Sequence, residues 1–156
     1  MTKDCCADSV PSSICNCPVS GAKGKKVKII TLKSLLTSSA LETLNPDKTH
    51  YFCSATDCPV VYFDGQGQVF RRHQVAVPVF QKDLRLQVPI CYCFSWTRDR
   101  IYQEIQQTGS STAETSILNH IKAGRCRCEI NNPQGSCCLA NIRTFMREVL
   151  QAKSAN

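Results

Sequence analysis

Apolar positions change their spacing near the middle of the chain. In the first half they form short β-branched or aromatic runs: Val27-Lys28-Ile29-Ile30-Thr31-Leu32, Val60-Val61-Tyr62-Phe63 and Val75-Ala76-Val77-Pro78-Val79-Phe80. Such side chains fit a pleated, half-buried surface, so each run predicts a strand. Asp64-Gly65-Gln66-Gly67 supplies a turn before Val69. The expected product is a small antiparallel β unit.

Beyond Cys93 the spacing becomes helical. Ile101, Tyr102 and Ile105 share a face behind a Ser95 or Thr97 cap, and Gly109 ends that segment. Ser111-Thr112-Ala113-Glu114 has the capping-box pattern ahead of Ile117, Leu118 and Ile121, with Gly124 as the stop. Leu139, Ile142, Phe145, Met146, Val149 and Leu150 then recur on one helical stripe. Three short helices follow from this, their stripes serving as core. The fold class predicted is α+β, divided into a leader (1–14), a small antiparallel β unit (15–80), a linker (81–90) and a three-helix unit (91–152).

Composition adds one abnormal number: the 156 residues include twelve cysteines against two methionines and one tryptophan. A secreted disulfide scaffold is the first class such a count suggests. The start Met1-Thr2-Lys3-Asp4-Cys5-Cys6 lacks the apolar core of an export signal, and no stretch approaches the roughly 18 apolar residues of a membrane span. The expectation is therefore a cytoplasmic protein without stable membrane insertion, in a reducing compartment where clustered thiols bind metal. The formal charge of +7 would ordinarily point to nucleic acid. Thiolate metal sites change that sum, since two four-thiolate centres, one zinc and one oxidised [2Fe-2S], lower it to about +3. Lys23, Lys25, Lys26 and Lys28 form the only basic run and read as a solvated loop. No nucleic-acid partner is expected.

The cysteines fall into groups. Cys15, Cys17, Cys53 and Cys58 form two pairs on loops between short strands, which suits a tetrahedral structural zinc site. His50 and His73 are reserve ligands, better read as ordinary surface or hydrogen-bonded histidines. Cys91 and Cys93 precede a helix, while Cys126, Cys128, Cys137 and Cys138 lie between the second and third helices. Four of these six thiols can hold a [2Fe-2S] cluster, with helix N-termini aimed at its negative charge, although four thiolates also accept zinc. Arg98, Arg125 and Arg127 lie near these cysteines in sequence and would favour a reduced cluster if they face it. Cys5 and Cys6 form a vicinal pair suited to transient capture of a soft ion.

The run from Cys17-Pro18 to Lys26-Val27, followed by Phe52-Cys53 to Cys58-Pro59-Val60-Val61-Tyr62-Phe63, resembles the zinc-binding N-terminal part of CopZ-type copper chaperones. Ser20 stands where that family has its second cysteine, and the resemblance implies that Cys15 takes its place. Cys91-Tyr92-Cys93 with Asn132-Pro133-Gln134-Gly135-Ser136-Cys137-Cys138 resembles both the cluster-binding part of the same family and the bacterioferritin-associated-ferredoxin-like [2Fe-2S] domain. Carried over residue by residue, the cluster ligands are Cys91, Cys93, Cys128 and Cys138, with Cys126 and Cys137 as alternatives. The resemblance implies heavy-metal handling, one-electron transfer with reduction of Cu(II) to Cu(I), and a redox partner together with a copper chaperone or heavy-metal P-type ATPase. It departs from the family in having no Met-x-Cys-x-x-Cys segment after the cluster part. A double-zinc interaction module is the alternative. No enzyme motif is present: there is no glycine-rich phosphate loop, H-E-x-x-H or nucleophile elbow.

Overall fold

The computed structural model describes residues 16–155. An antiparallel four-stranded sheet, ordered β1 (Lys25–Val27), β2 (His50–Phe52), β3 (Val60–Asp64) and β4 (Val69–Arg71), dominates the first half. Every residue of β3 is buried, because both faces of the sheet are covered. On one face Phe52, Tyr62 and Phe70 pack with α1 (Ile29–Leu35) and Val75. On the other, Tyr51 and Phe63 stack at 5.5 Å beside Cys17, Cys53 and Cys58. A register shift between Val60 and Tyr62 lets Val61 join the first cluster.

The run predicted as a strand over 27–32 splits after Val27. Ile29–Leu35 is helical, and Thr31, Leu32 and Leu35 are its buried residues. Burying positions three and four apart fits a helix and not a strand, so tertiary packing overrides the β-branched preference. The run 75–80 likewise forms no named strand: Val75 makes an isolated bridge to Leu36, between 3-10 turns at Arg72–Gln74 and Phe80–Lys82. The short helix α2 (Ser38–Leu41) starts at Thr37, whose hydroxyl accepts from Ala40 N–H.

The second half opens with a hairpin, β5 (Pro89–Cys91) and β6 (Trp96–Thr97), and continues into α3 (Arg98–Thr108), α4 (Ala113–Lys122), α5 (Cys128–Asn131) and α6 (Leu139–Ser154). Thr97 caps α3 by accepting from Arg100 N–H, and Gly109 ends it with a φ of +86°. Ile101, Ile105, Ile117, Ile142 and Val149 form a common core with Ile90 and Trp96, as their stripes predict, whereas Tyr102 and Ile121 of the same stripes are exposed. Ser111-Thr112-Ala113-Glu114 does not close as a capping box. The Glu104 carboxylate from α3 instead accepts from the Ser111 hydroxyl and from Thr112 N–H.

The halves interlock. Tyr62 donates its hydroxyl proton to the Pro133 carbonyl, Thr31 Oγ1 donates to the Glu129 carbonyl at 2.6 Å, and Lys25 Nζ donates to Ser136 Oγ at 2.7 Å. Gly135, with a φ of +73°, brings the 132–138 loop against Val27 and Thr31. Among the described residues, no helix is long and apolar enough to cross a membrane.

Candidate metal centres

The first centre is built by two tight loops at one face of the sheet. Cys17 N–H donates to the Ala22 carbonyl and Gly21 N–H to the Cys17 carbonyl, both at 2.8 Å, and Gly21 takes the positive φ that this turn demands. The second loop joins β2 to β3 and carries Cys53 and Cys58. The sulfurs of Cys17, Cys53 and Cys58 lie within 4.8 Å of one another, and all three residues are buried. The Cys17–Cys58 sulfur separation is 3.7 Å. A tetrahedral thiolate site with metal–sulfur bonds near 2.3 Å has edges of about 3.8 Å, so these donors are already spaced for one ion such as zinc.

Two further side chains reach this centre. Ser20 Oγ lies 3.4 Å from Cys53 Sγ, hydrogen-bonds Cys17 as well, and accepts from Ala22 N–H. Lys82, 5% exposed, places its ammonium against the Ala55 carbonyl at 2.6 Å, the Cys58 carbonyl at 3.1 Å and Cys53 Sγ at 3.8 Å. Burial alone would push the Cys17 thiol up, but hydrogen bonds from Ser20, the Val19 amide and Cys58 outweigh it and bring it down to about 7. Burial wins at Cys53, whose thiol is pushed up despite Ser20, the Ala55 amide and Lys82. Sequence reasoning missed Lys82, which lies in a charged segment with no ligand spacing.

Cys15, Cys5 and Cys6 lie outside the described residues. Neither reserve histidine is among the metal-ligating groups that meet. His73 is exposed in a 3-10 turn, and His50 is buried opposite Asp64 beside the Phe70 ring.

The second group of thiols gathers where the hairpin, α5 and α6 meet. Cys91 ends β5, Cys93 follows in the turn, Cys128 begins α5, and Cys138 immediately precedes α6. Cys138 hydrogen-bonds both Cys91 and Cys128, and Cys128 in turn lies 3.9 Å from Cys93, sulfur to sulfur. The Arg127 amide donates to Cys93 Sγ at 3.2 Å, with Asn131 Nδ2 at 3.6 Å. Hydrogen bonding from Cys138 holds the Cys91 thiol down at about 7 and the Cys128 thiol at about 6, against burial. Cys138, the donor to both, is pushed up by those same contacts. Cys137 is exposed and also hydrogen-bonds Cys128. Burial, followed by the neighbouring thiolates, pushes Cys126 up to about 11.

Two of the arginines are engaged elsewhere. The Arg98 guanidinium donates to the Phe80 and Asp83 carbonyls and lies over the Phe80 ring, and Arg125 Nε donates to His120 Nδ1. The condition that they face the cysteines is therefore not met by the hydrogen bonds of Arg98 and Arg125. At Arg127 it is the backbone amide that meets a cysteine.

Residues 14–76 match the zf_CopZ family, a zinc binding domain. The copper chaperone CopZ of Archaeoglobus fulgidus is 29% identical over 123 residues, which is 78% of this chain and 57% of that protein. The chain thus spans little more than half of that relative's length. The crystal structure of the Archaeoglobus fulgidus CopZ N-terminal domain superposes with a TM-score of 0.68 at 25% identity, covering 83% of this chain and 96% of that one. The likeness to CopZ therefore extends beyond the segment that matches the zinc binding domain, in which the three-cysteine metal site lies.

Proposed function

We propose that this chain is a cytoplasmic, non-enzymatic metalloprotein of heavy-metal handling with two centres. Zinc sits on Cys17, Cys53 and Cys58 in the half formed by residues 15–80; its fourth donor is Cys15 from the sequence or Ser20 from the structure. A [2Fe-2S] cluster sits on Cys91, Cys93, Cys128 and Cys138 in the half formed by residues 91–152, beyond the 81–90 linker. The observation that carries this reading is the second group of thiols. Four cysteines from three separate segments converge, yet they do not meet the mutual spacing that Cys17, Cys53 and Cys58 satisfy for a single ion. A two-iron core needs a wider donor set than one zinc ion, held in pairs on each iron.

A cluster of this kind changes oxidation state by one electron and would pass it from a reductant to Cu(II), giving Cu(I) and the oxidised cluster. The relative's name, copper chaperone, supports copper as the cargo. The receiving partner would then be a copper chaperone or a heavy-metal P-type ATPase. Anaerobically purified protein is expected to be red-brown, with about two iron and one zinc per chain. Dithionite should bleach it and produce a [2Fe-2S]⁺ paramagnetic resonance signal, and added Cu(II) should restore the visible bands. Colourless protein carrying two zinc ions would replace this reading with the double-zinc module. Failure of Cu(II) to restore the bands would remove copper reduction while leaving electron transfer in place.

A further inference from the structure

The first centre has three buried thiols and one exposed corner. Cys17, Cys53 and Cys58 are 2%, 0% and 4% exposed, whereas Ser20, which hydrogen-bonds both Cys17 and Cys53, lies open to solvent. The Ser20 hydroxyl is fixed from behind by Ala22 N–H at 3.2 Å. It stands on the solvent side of the three sulfurs, 3.4 Å from Cys53 Sγ, as the oxygen donor nearest to hand for a fourth position.

Charge points the same way. The Lys82 ammonium spends its three donors on two carbonyls and on Cys53 Sγ, inside the protein. A divalent ion with three thiolates carries −1, which Lys82 neutralises.

Building on the zinc reading above, we infer that this is a three-thiolate centre whose fourth position, at Ser20, is neutral and exchangeable, open from solvent to a small external thiol. It is not a closed four-thiolate site completed by Cys15. Closed structural zinc sites keep all four positions on protein ligands, whereas sites with three protein ligands leave one for water or an incoming molecule.

Zinc K-edge absorption on the whole chain tests this. Wild type and Cys15→Ser should both show three sulfur donors and one oxygen or nitrogen donor. Ser20→Cys should show four sulfurs and release zinc to a chromogenic chelator at least about tenfold more slowly. Adding 2-mercaptoethanol should convert wild type, but not Ser20→Cys, from its three-sulfur to a four-sulfur spectrum. Four sulfurs in untreated wild type, or loss of a sulfur in Cys15→Ser, would overturn the inference and leave the zinc reading intact. Wild-type protein that retains no zinc would overturn both.

Discussion

Lys82 belongs by sequence to the segment joining the two halves, yet its ammonium ends in the zinc-type loop of the first. Because that loop's Ala55 and Cys58 carbonyls both accept from it, Lys82 fixes the loop as well as offsetting thiolate charge. Lys82→Met keeps much of the buried stem while removing both effects. It should weaken zinc retention by about 10- to 100-fold, as loss of outer-shell partners commonly does. Chelator competition at fixed pH measures this, and unchanged retention would show that the contact is incidental. His50 is a different case. Burial pushes its imidazole below the ordinary histidine value, against the opposing pull of Asp64 and the Lys48 carbonyl. The unfolded chain then takes up the proton first as pH falls. This histidine's contribution is thus complete above about pH 6.5 and is lost progressively below it, down to the depressed folded value. The urea midpoint of wild type should fall relative to that of His50→Leu as the pH drops from 8 to 5. Parallel curves would show that His50 does not titrate differently on folding.

At the scale of elements, close packing sets what a strand can tolerate. A β-carbon added at Gly24 would stand 2.4 Å from Phe63 Cζ and 2.7 Å from Tyr51 Cβ, both within the stacked pair below β1. Gly24→Ala should therefore destabilise the fold by about 1–3 kcal/mol, read from a denaturant midpoint. Wild-type stability would mean that the stack shifts freely. The elements legible in the sequence were those whose pattern is local: the Val60 run, the turn after Asp64, and the apolar stripes of α3, α4 and α6. Their signals need nothing from the rest of the chain. The helix at Ile29–Leu35 was not legible, because Thr31 is buried by the distant Glu129 carbonyl that its hydroxyl reaches. The apparent capping box at Ser111 failed for the same kind of reason, since the Glu104 carboxylate on the preceding helix takes the Ser111 and Thr112 hydroxyl protons and Thr112 becomes the cap residue. Among site residues, the cysteines declared themselves by count and spacing. Lys82 could not, since nothing in a charged segment marks one lysine as the one that turns inward.

For the molecule as a whole, the consequence of the interlock is that the two candidate centres share one scaffold. The loop leading to Cys137 and Cys138 is clamped from within by Gln134, whose amide donates to the Ser136 and Cys137 carbonyls. From outside it is held by the sheet, through Tyr62 to Pro133 and Lys25 to Ser136. Tyr62 lies four residues beyond Cys58 on the chain, and β3 starts two residues after that cysteine. A metal that orders the Cys53–Cys58 loop thereby steadies the strand supporting the second group of thiols, and structural zinc contributes its binding free energy to folding. Cys58→Ser should lower the melting temperature and raise amide hydrogen exchange within residues 128–138 as well as near residues 50–64. Tyr62→Phe should reproduce the distant part of that response with zinc still bound, at a cost of about 1–3 kcal/mol for a buried carbonyl left without its donor. Exchange mass spectrometry reads both variants without reference to the metal in the second centre. If Cys58→Ser loosens the sheet while residues 128–138 stay as protected as in wild type, the two centres are energetically separate despite their contacts.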